Sequence, residues 1–338
     1  MKTWELGDQK GIASLRMAER AEPKPGPGQA VIAVKACSLN RRDIGIAGGT
    51  YGAAKPATRI PLSDGAGDVV AIGPDVTGVK VGDRVTASHY TTWLDGTFDP
   101  SVRNADLGVS IDGWLTERAV IPAAALVPIP DKMSYAEAAA LPVAAVTAWS
   151  VIEGLGRIKS GDIVLTLGTG GVSIFALQIA KMNGARAAIT SSSDEKLARC
   201  KDLGADIVVN YKTRPDWDKA IRDQTGGRGV DIVVETGGFA TLSQSLAACA
   251  PNARVGMIGA LAGRPEAPPA LFPMVGNNIT LKGITSGTRR MFVELLKAMD
   301  ATDMKPVIDK TFAFDDAVNA YQYMVDSDFI GKIVVSVG

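Results

Sequence analysis

A chain of 338 residues, 46% apolar and 21% charged, has the composition of an ordinary soluble globular protein and the length of about two domains. Its 36 Lys plus Arg balance 36 Asp plus Glu, which excludes the basic field needed to hold nucleic acid or an anionic membrane. No run is long enough to span a membrane, Met1-Lys-Thr-Trp-Glu-Leu6 lacks the apolar core of a signal peptide, and Cys37, Cys200 and Cys249 are too scattered for a disulfide framework or a paired metal motif, so a cytoplasmic protein is expected.

In chain order, residues 1–125 read as β-rich, with short apolar strands at Ala30–Ala36, Gly67–Ile72 and Arg84–Ala87 between glycine and proline punctuation. A helical pattern runs from Ser134 to Leu141 and resumes from Val146 to Leu155, with Pro142 as a kink or break. From Gly161 the chain alternates. Strands are expected at Ile163–Leu167, Arg186–Thr190, Ile207–Tyr211, Val230–Thr236 and Ala253–Ile258, with helices near 171–182, 194–203, 216–224 and 241–249. That order builds a doubly wound parallel α/β sheet with its ligand at the carboxyl ends of the strands. Beyond Leu261 come a proline-rich loop, a strand at Thr280–Ile284, helices at Arg290–Met299 and Asp315–Val325, and a closing strand at Lys332–Val337. The expected division is 1–125, 126–265 and a return segment, 266–338, that completes both.

One stretch carries chemistry by its spacing. Ile163–Leu167 is a buried strand, Val172, Phe175, Ala176, Ile179 and Ala180 share one helix face, and glycines lie between. Gly168 suits the tight turn out of the strand, and Gly170 lacks the Cβ that would keep a pyrophosphate from the backbone. The N–H groups of Thr169, Gly170, Gly171 and Val172 then face a diphosphate at the helix start. Ser173 stands at the usual third glycine or alanine position, and looser packing of helix on strand is expected from it.

Further segments identify the chain as similar to the medium-chain dehydrogenase/reductase superfamily, in particular its zinc-free quinone-oxidoreductase-like and alcohol-dehydrogenase-like members. They are Ser38-Leu-Asn40-Arg-Arg-Asp43, Ile60-Pro-Leu-Ser63-Asp64-Gly-Ala-Gly67, Val81-Gly-Asp-Arg-Val85, Leu141-Pro-Val-Ala-Ala-Val-Thr147-Ala-Trp149, Leu203-Gly-Ala-Asp206 and Phe329-Ile-Gly-Lys332-Ile-Val334. The resemblance implies a GroES-like catalytic domain joined to a Rossmann coenzyme domain. Zinc-dependent relatives place a cysteine at the Asn40 position, a histidine at Ser63, a glutamate at Asp64 and a cysteine or acid near Val143. Residues 88–112 hold no cysteine of a structural metal lobe, and His89 is the only histidine, so no metal is expected.

The second strand of the alternating region ends Ile189-Thr190-Ser191-Ser192-Ser193, with no carboxylate at its tip to take a ribose hydroxyl. Small hydroxyls leave room for a 2′-phosphate, so NADP(H) is the expected cofactor. The resemblance adds Lys196 and Tyr211 beside that phosphate, with Arg199 one turn from Lys196. Ser192 with Glu195 also fits a helix capping box.

Without a Lewis acid, hydride addition to a conjugated enone, enal or quinone makes the smallest demand, because charge spreads into an enolate. Tyr51 stands where similar enoyl reductases carry a proton-assisting tyrosine, and an ordinary phenol is protonated at neutral pH. Asn40 and Asp43 resemble the pair that orders the nicotinamide side, although Asp43 also suits a backbone bond in its own turn. Thr147 contacts the nicotinamide ribose or caps its helix, and Lys332 belongs with the coenzyme set. His89, Tyr90, Trp93 and Trp114, with Tyr51, form an aromatic-rich candidate substrate pocket. The expected function is an NADPH-dependent reductase of a small activated carbonyl or alkene. The alternatives are a zinc-free NADP-dependent alcohol dehydrogenase and a non-catalytic NADPH-binding sensor. A homodimer is expected through the edge strand at Thr280–Ile284.

Overall fold

The long apolar run near residue 30 becomes the central strand of a mostly antiparallel sheet. In the computed structural model, which describes residues 1–338, a small pair, β1 (Lys2–Glu5) and β2 (Arg16–Glu19), precedes β3 (Gln29–Ser38), β4 (Asp64–Ile72), β5 (Arg84–Ala87), β6 (Arg118–Pro122) and β7 (Leu126–Pro128). Helix α1 (Arg41–Ala47) leaves the end of β3, and α2 (Tyr135–Ala139) and α3 (Ala144–Trp149) are separated around Pro142 before a π-helical stretch, Ser150–Leu155. The break at Pro142 follows from its missing N–H.

Strand and helix then alternate as β8 (Ile163–Leu167), α4 (Gly171–Met182), β9 (Arg186–Ser191), α5 (Asp194–Asp202), β10 (Ile207–Asn210), α6 (Trp217–Gln224), β11 (Val230–Glu235), α7 (Phe239–Ala248) and β12 (Cys249–Met257). After α8 (Phe272–Gly276), β13 (Thr280–Gly283) closes a six-stranded sheet in the order β10-β9-β8-β11-β12-β13. All its pairings are parallel, and the order reverses between β8 and β11. In such a sheet that reversal is where a ligand is received.

The tail runs through α9 (Arg289–Thr302), β14 (Ile308–Ala313), α10 (Ala317–Asp326) and β15 (Lys332–Ser336). Both strands return to the first sheet, whose order is β14-β15-β3-β4-β5-β7, with β6 also on β3.

The chain forms two units, Met1–Val146 with Thr288–Gly338, and Thr147–Gly287. These limits differ from the expected 125/126 and 265/266 divisions, since α2 and the start of α3 belong to the first unit and β13 to the second. The first unit's core gathers Ile32, Leu62, Trp114, Leu115, Tyr321 and Val335, all buried. The second packs Leu165, Val209, Trp217, Val233, Leu246 and Val255 around its sheet. No helix is long and apolar enough to cross a membrane.

Two local expectations are corrected. Ser173 does not loosen α4: its buried Oγ donates to Leu167 O at 2.7 Å and ties the first turn of the helix to the end of β8. The cap of α5 is Ser193 rather than Ser192, its Oγ accepting from Lys196 N at 3.3 Å.

Candidate functional site

The glycine turn lies at the carboxyl end of β8. Gly168 has φ +74°, the left-handed conformation in which only glycine is unstrained, and a Cβ at either Gly168 or Gly170 would meet no atom within 4 Å. Gly170 is the N-cap of α4 and supplies no side-chain acceptor, so the first N–H groups of that helix have no cap. An open, uncapped helix start is the arrangement that receives an anion. Thr169 is buried beside it. Thr236 Oγ1 donates to Leu167 O at 2.9 Å, and Glu235, fully buried at the end of β11, accepts from Gly237 N at 2.8 Å, Gly238 N at 2.9 Å and Thr241 Oγ1 at 2.7 Å. These bonds fix the backbone on both sides of the sheet reversal. Thr147 is buried, with its Oγ1 3.5 Å from Ser286 Oγ.

At the tips of the next two strands, Tyr211 N donates to Ser191 O at 3.0 Å, which sets the 42%-exposed Tyr211 beside the serine turn. Ser191 is buried, whereas Ser192 and Lys196 are partly exposed. Asp194, which follows the three serines in sequence, accepts from Asn210 Nδ2 at 2.8 Å.

In the first unit, two buried cations organise the polar residues. Lys332 Nζ donates to Leu39 O and Asn40 Oδ1 at 2.8 Å each and lies 3.1 Å from Asp64 Oδ2. The Lys332 and Asp64 side chains are 3% and 0% exposed. Asp64 also accepts from Asn40 Nδ2 at 2.9 Å and from Val143 N at 3.0 Å. The Lys332 ammonium is thus held by protein oxygens, and Asn40, the N-cap of α1, spends its amide on the same pair.

The second cation is Arg42. Its guanidinium grips Asp106 with both Nη atoms, at 3.0 and 2.9 Å, and Nη2 donates to Ser63 Oγ at 2.6 Å. His89 Nδ1 lies 2.9 Å from Asp106 Oδ1. Burial alone would raise the Asp106 carboxyl, but Arg42 and His89 outweigh it and hold the group below its ordinary value. Arg42 likewise overcomes its own desolvation through Asp106 and stays firmly protonated. Tyr51, between the left-handed Gly49 and Gly52, is 40% exposed, with its ring centroid 5.9 Å from the Arg42 guanidinium carbon.

Asp43 caps its own turn, its Oδ2 accepting from Asn40 N at 2.6 Å. Its carboxyl is 2% exposed and is pushed up to about 7, chiefly by burial. A raised carboxyl binds its proton longer in the folded than in the unfolded chain. Its contribution to stability therefore falls as pH rises from about 4 to about 7, by roughly 1.4 kcal/mol for each pH unit crossed, and is constant above. Asp43→Asn is expected to lack this loss. Denaturant unfolding of both proteins at pH 5 and pH 8 checks it, and equal pH slopes would rule Asp43 out as the source.

Of the aromatic set, His89, Tyr90 and Trp93 stay together, with ring centroids 4.1 Å apart for His89–Tyr90 and 6.3 Å for Tyr90–Trp93, and Trp114 lies apart. His89 and Tyr90 are buried, Tyr90 with its phenol pushed up to about 12 by burial. Trp93 stacks edge-on against Phe98 with centroids 5.2 Å apart. Trp114 is a core residue and not a pocket wall: it is fully buried, and a Cβ at Gly65 would run into its indole ring.

Arg42 and Asp106, which hold this cluster together, carry no signal of their own in the sequence. Arg42 stands inside the Ser38–Asp43 motif, but its partner lies 64 residues away in a loop without periodicity.

Two family models match the chain, the alcohol dehydrogenase GroES-like domain over residues 26–131 and the zinc-binding dehydrogenase over residues 171–301. A zinc-type alcohol dehydrogenase-like protein of Schizosaccharomyces pombe is 40% identical over 97% of this chain and 96% of its own length. The chain belongs to the medium-chain dehydrogenase/reductase superfamily. It is an oxidoreductase of that superfamily, a GroES-like unit joined to a Rossmann unit. Solved superfamily structures differ in their coenzyme. An NAD-dependent alcohol dehydrogenase is 31% identical, with a TM-score of 0.90 over 100% of both chains. A mycobacterial protein complexed with NADPH is 26% identical, with a TM-score of 0.83 over 100% of both chains.

Proposed function

We propose that the protein is an NADPH-dependent, metal-independent cytoplasmic reductase that delivers hydride to an activated carbonyl or alkene, a quinone, enone or enal. One observation carries the metal-independent part. Asn40, Ser63 and Asp64, at the positions where zinc-dependent relatives hold ligands, are each bonded to a buried cation of the protein, Lys332 or Arg42. Val143, at the fourth position, has an apolar side chain and donates its backbone N–H to Asp64. Zinc does not fit this set: an amide, a hydroxyl and one already paired carboxylate lack the thiolate and imidazole donors it needs, and a divalent ion would sit against an ammonium group.

The coenzyme part rests on the uncapped start of α4, the open space at Gly168 and Gly170, and the carboxylate-free tip of β9. Thr169 to Val172 hold the diphosphate, and Ser191, Ser192, Lys196 and Tyr211 the 2′-phosphate. When bound, the nicotinamide supplies the hydride. A C–H bond forms at the substrate β-carbon with the hydride pair, and the alkene pair shifts to the bond between the α-carbon and the carbonyl carbon while the carbonyl pair moves to the oxygen. As the enolate collapses, the α-carbon takes a proton from solvent by way of Tyr51. Asn40 and Asp43 make the capping box of α1, and Lys332 keeps Asp64 paired.

Lys196→Ala tests the coenzyme assignment. Losing a charged hydrogen bond to phosphate should weaken NADPH binding by about tenfold and leave NADH within about twofold. Equal losses for both would contradict it. The protein is further proposed to form a homodimer along β13, the edge of its sheet, near which Leu271, Phe272 and Val275 are exposed. A solution mass of one 35.2 kDa chain would refute that.

A further inference from the structure

A charged residue locked by a bidentate partner well inside a unit needs a reason, because replacing such a pair with apolar side chains is often neutral or stabilising. Arg42 is such a residue. Three of its five N–H donors go to Asp106 and Ser63, a second Nη1 hydrogen remains, and Nε is buried with no partner. Its side chain is 12% exposed, against 5% for Asp106 and 1% for His89. Side-chain exposure therefore rises from His89 and Asp106, through Arg42, to the open Tyr51.

With Asp106 a carboxylate, the proton shared with His89 at 2.9 Å lies on Nδ1, and His89 is a donor to Asp106. Arg42 Nη2 and His89 Nδ1, 3.3 Å apart, are then donor to donor and not bonded. Asp106 is thus pinned at Oδ1 by His89 Nδ1 and Arg42 Nη2 and at Oδ2 by Arg42 Nη1, and the guanidinium plane has no freedom to turn.

We propose that Arg42 is a catalytic residue of the reductase, donating a hydrogen bond on the side facing Tyr51 to the substrate oxygen on which negative charge develops, and that Asp106 and His89 are its positioning residues. The inference rests on the reductase reading. A donor fixed before charge appears needs no reorganisation when it does. The same geometry names a substrate class. Arg42 is neutralised by Asp106 and Lys332 by Asp64, so the cluster carries no surplus cation for a substrate carboxylate. It suits a neutral carbonyl oxygen that becomes anionic only as hydride arrives, so enones, enals and quinones are favoured over unsaturated acids.

The test uses substituted phenols as mimics of the enolate oxygen, measured by calorimetry on the full protein with and without NADP, alongside steady-state reduction of an enone. Wild type should bind phenols more tightly as their acidity increases. Arg42→Met should flatten that trend and lower kcat by roughly a hundredfold, with NADPH affinity unchanged. Arg42→Lys keeps the charge without the fork and should fall between the two. It carries the test if Arg42→Met does not fold. Asp106→Asn should lower kcat more than it alters KM. A phenol trend absent in wild type, or kept in full by both Arg42 variants with undiminished kcat, would overturn the proposal. A trend that depends on Arg42 in a protein that reduces no carbonyl would support the oxyanion site while refuting the reductase reading.

Discussion

Gly170→Val is expected to leave the fold intact and to weaken NADPH binding by at least about a hundredfold, near 2.7 kcal/mol. Two facts separate binding from folding at this position. Gly170 has φ −74° and ψ 177°, an extended conformation that a β-branched residue adopts without strain. Its Cβ direction also points into space with no atom within 4 Å, so the side chain of valine begins in open space. What it fills is the approach to the N–H groups at the start of α4, where a diphosphate must come close to backbone. Fluorescence titration with NADPH, paired with thermal unfolding, reads both effects. A lowered melting temperature with affinity retained would place the glycine in the fold rather than in the site.

Lys332→Met carries the second large effect, this one on stability. The substitution leaves Asp64, fully buried, with Asn40 Nδ2, Val143 N and, at 3.4 Å, Ser38 Oγ as hydrogen-bond partners and no countercharge. Breaking a buried pair from one side costs about 3–5 kcal/mol, much of it the desolvation of the carboxylate left behind. Adding Asp64→Asn removes the charge yet keeps an oxygen for Val143 N, so the double variant should recover at least half of the loss. Urea unfolding of wild type, single and double variants measures the coupling. A single variant within about 1 kcal/mol of wild type would mean that water reaches Asp64 and screens it.

How much of the fold and site is legible in the chain depends on the range of the interaction concerned. β8 and α4 match the expected Ile163–Leu167 and 171–182 limits because a buried strand and an amphipathic helix each repeat their pattern within a dozen residues. β14 carries Asp309, Lys310 and Thr311 among its apolar residues, and β1 and β2 are four residues each, so neither offers a run to see. The cap of α5 is displaced by one residue because three serines in a row are chemically equivalent until the backbone turns. The proposed coenzyme site at the glycine turn is readable because its residues are contiguous. The Arg42, Ser63, His89 and Asp106 cluster is not, since four short segments meet only after β4, β5 and the loop beyond it have folded. Lys332 is grouped with the coenzyme by its motif alone, and its burial against Asp64 is a fact of the return of β15 to β3.

Metal-free, NADPH-driven reduction is tested most directly by the rate of NADPH oxidation with an enone, set against NADH and measured as zinc content is lowered by chelation. The expected result is a rate per chain that favours NADPH and stays flat as zinc falls to zero. A rate that tracks bound zinc, or one that NADH supports equally well, would contradict it.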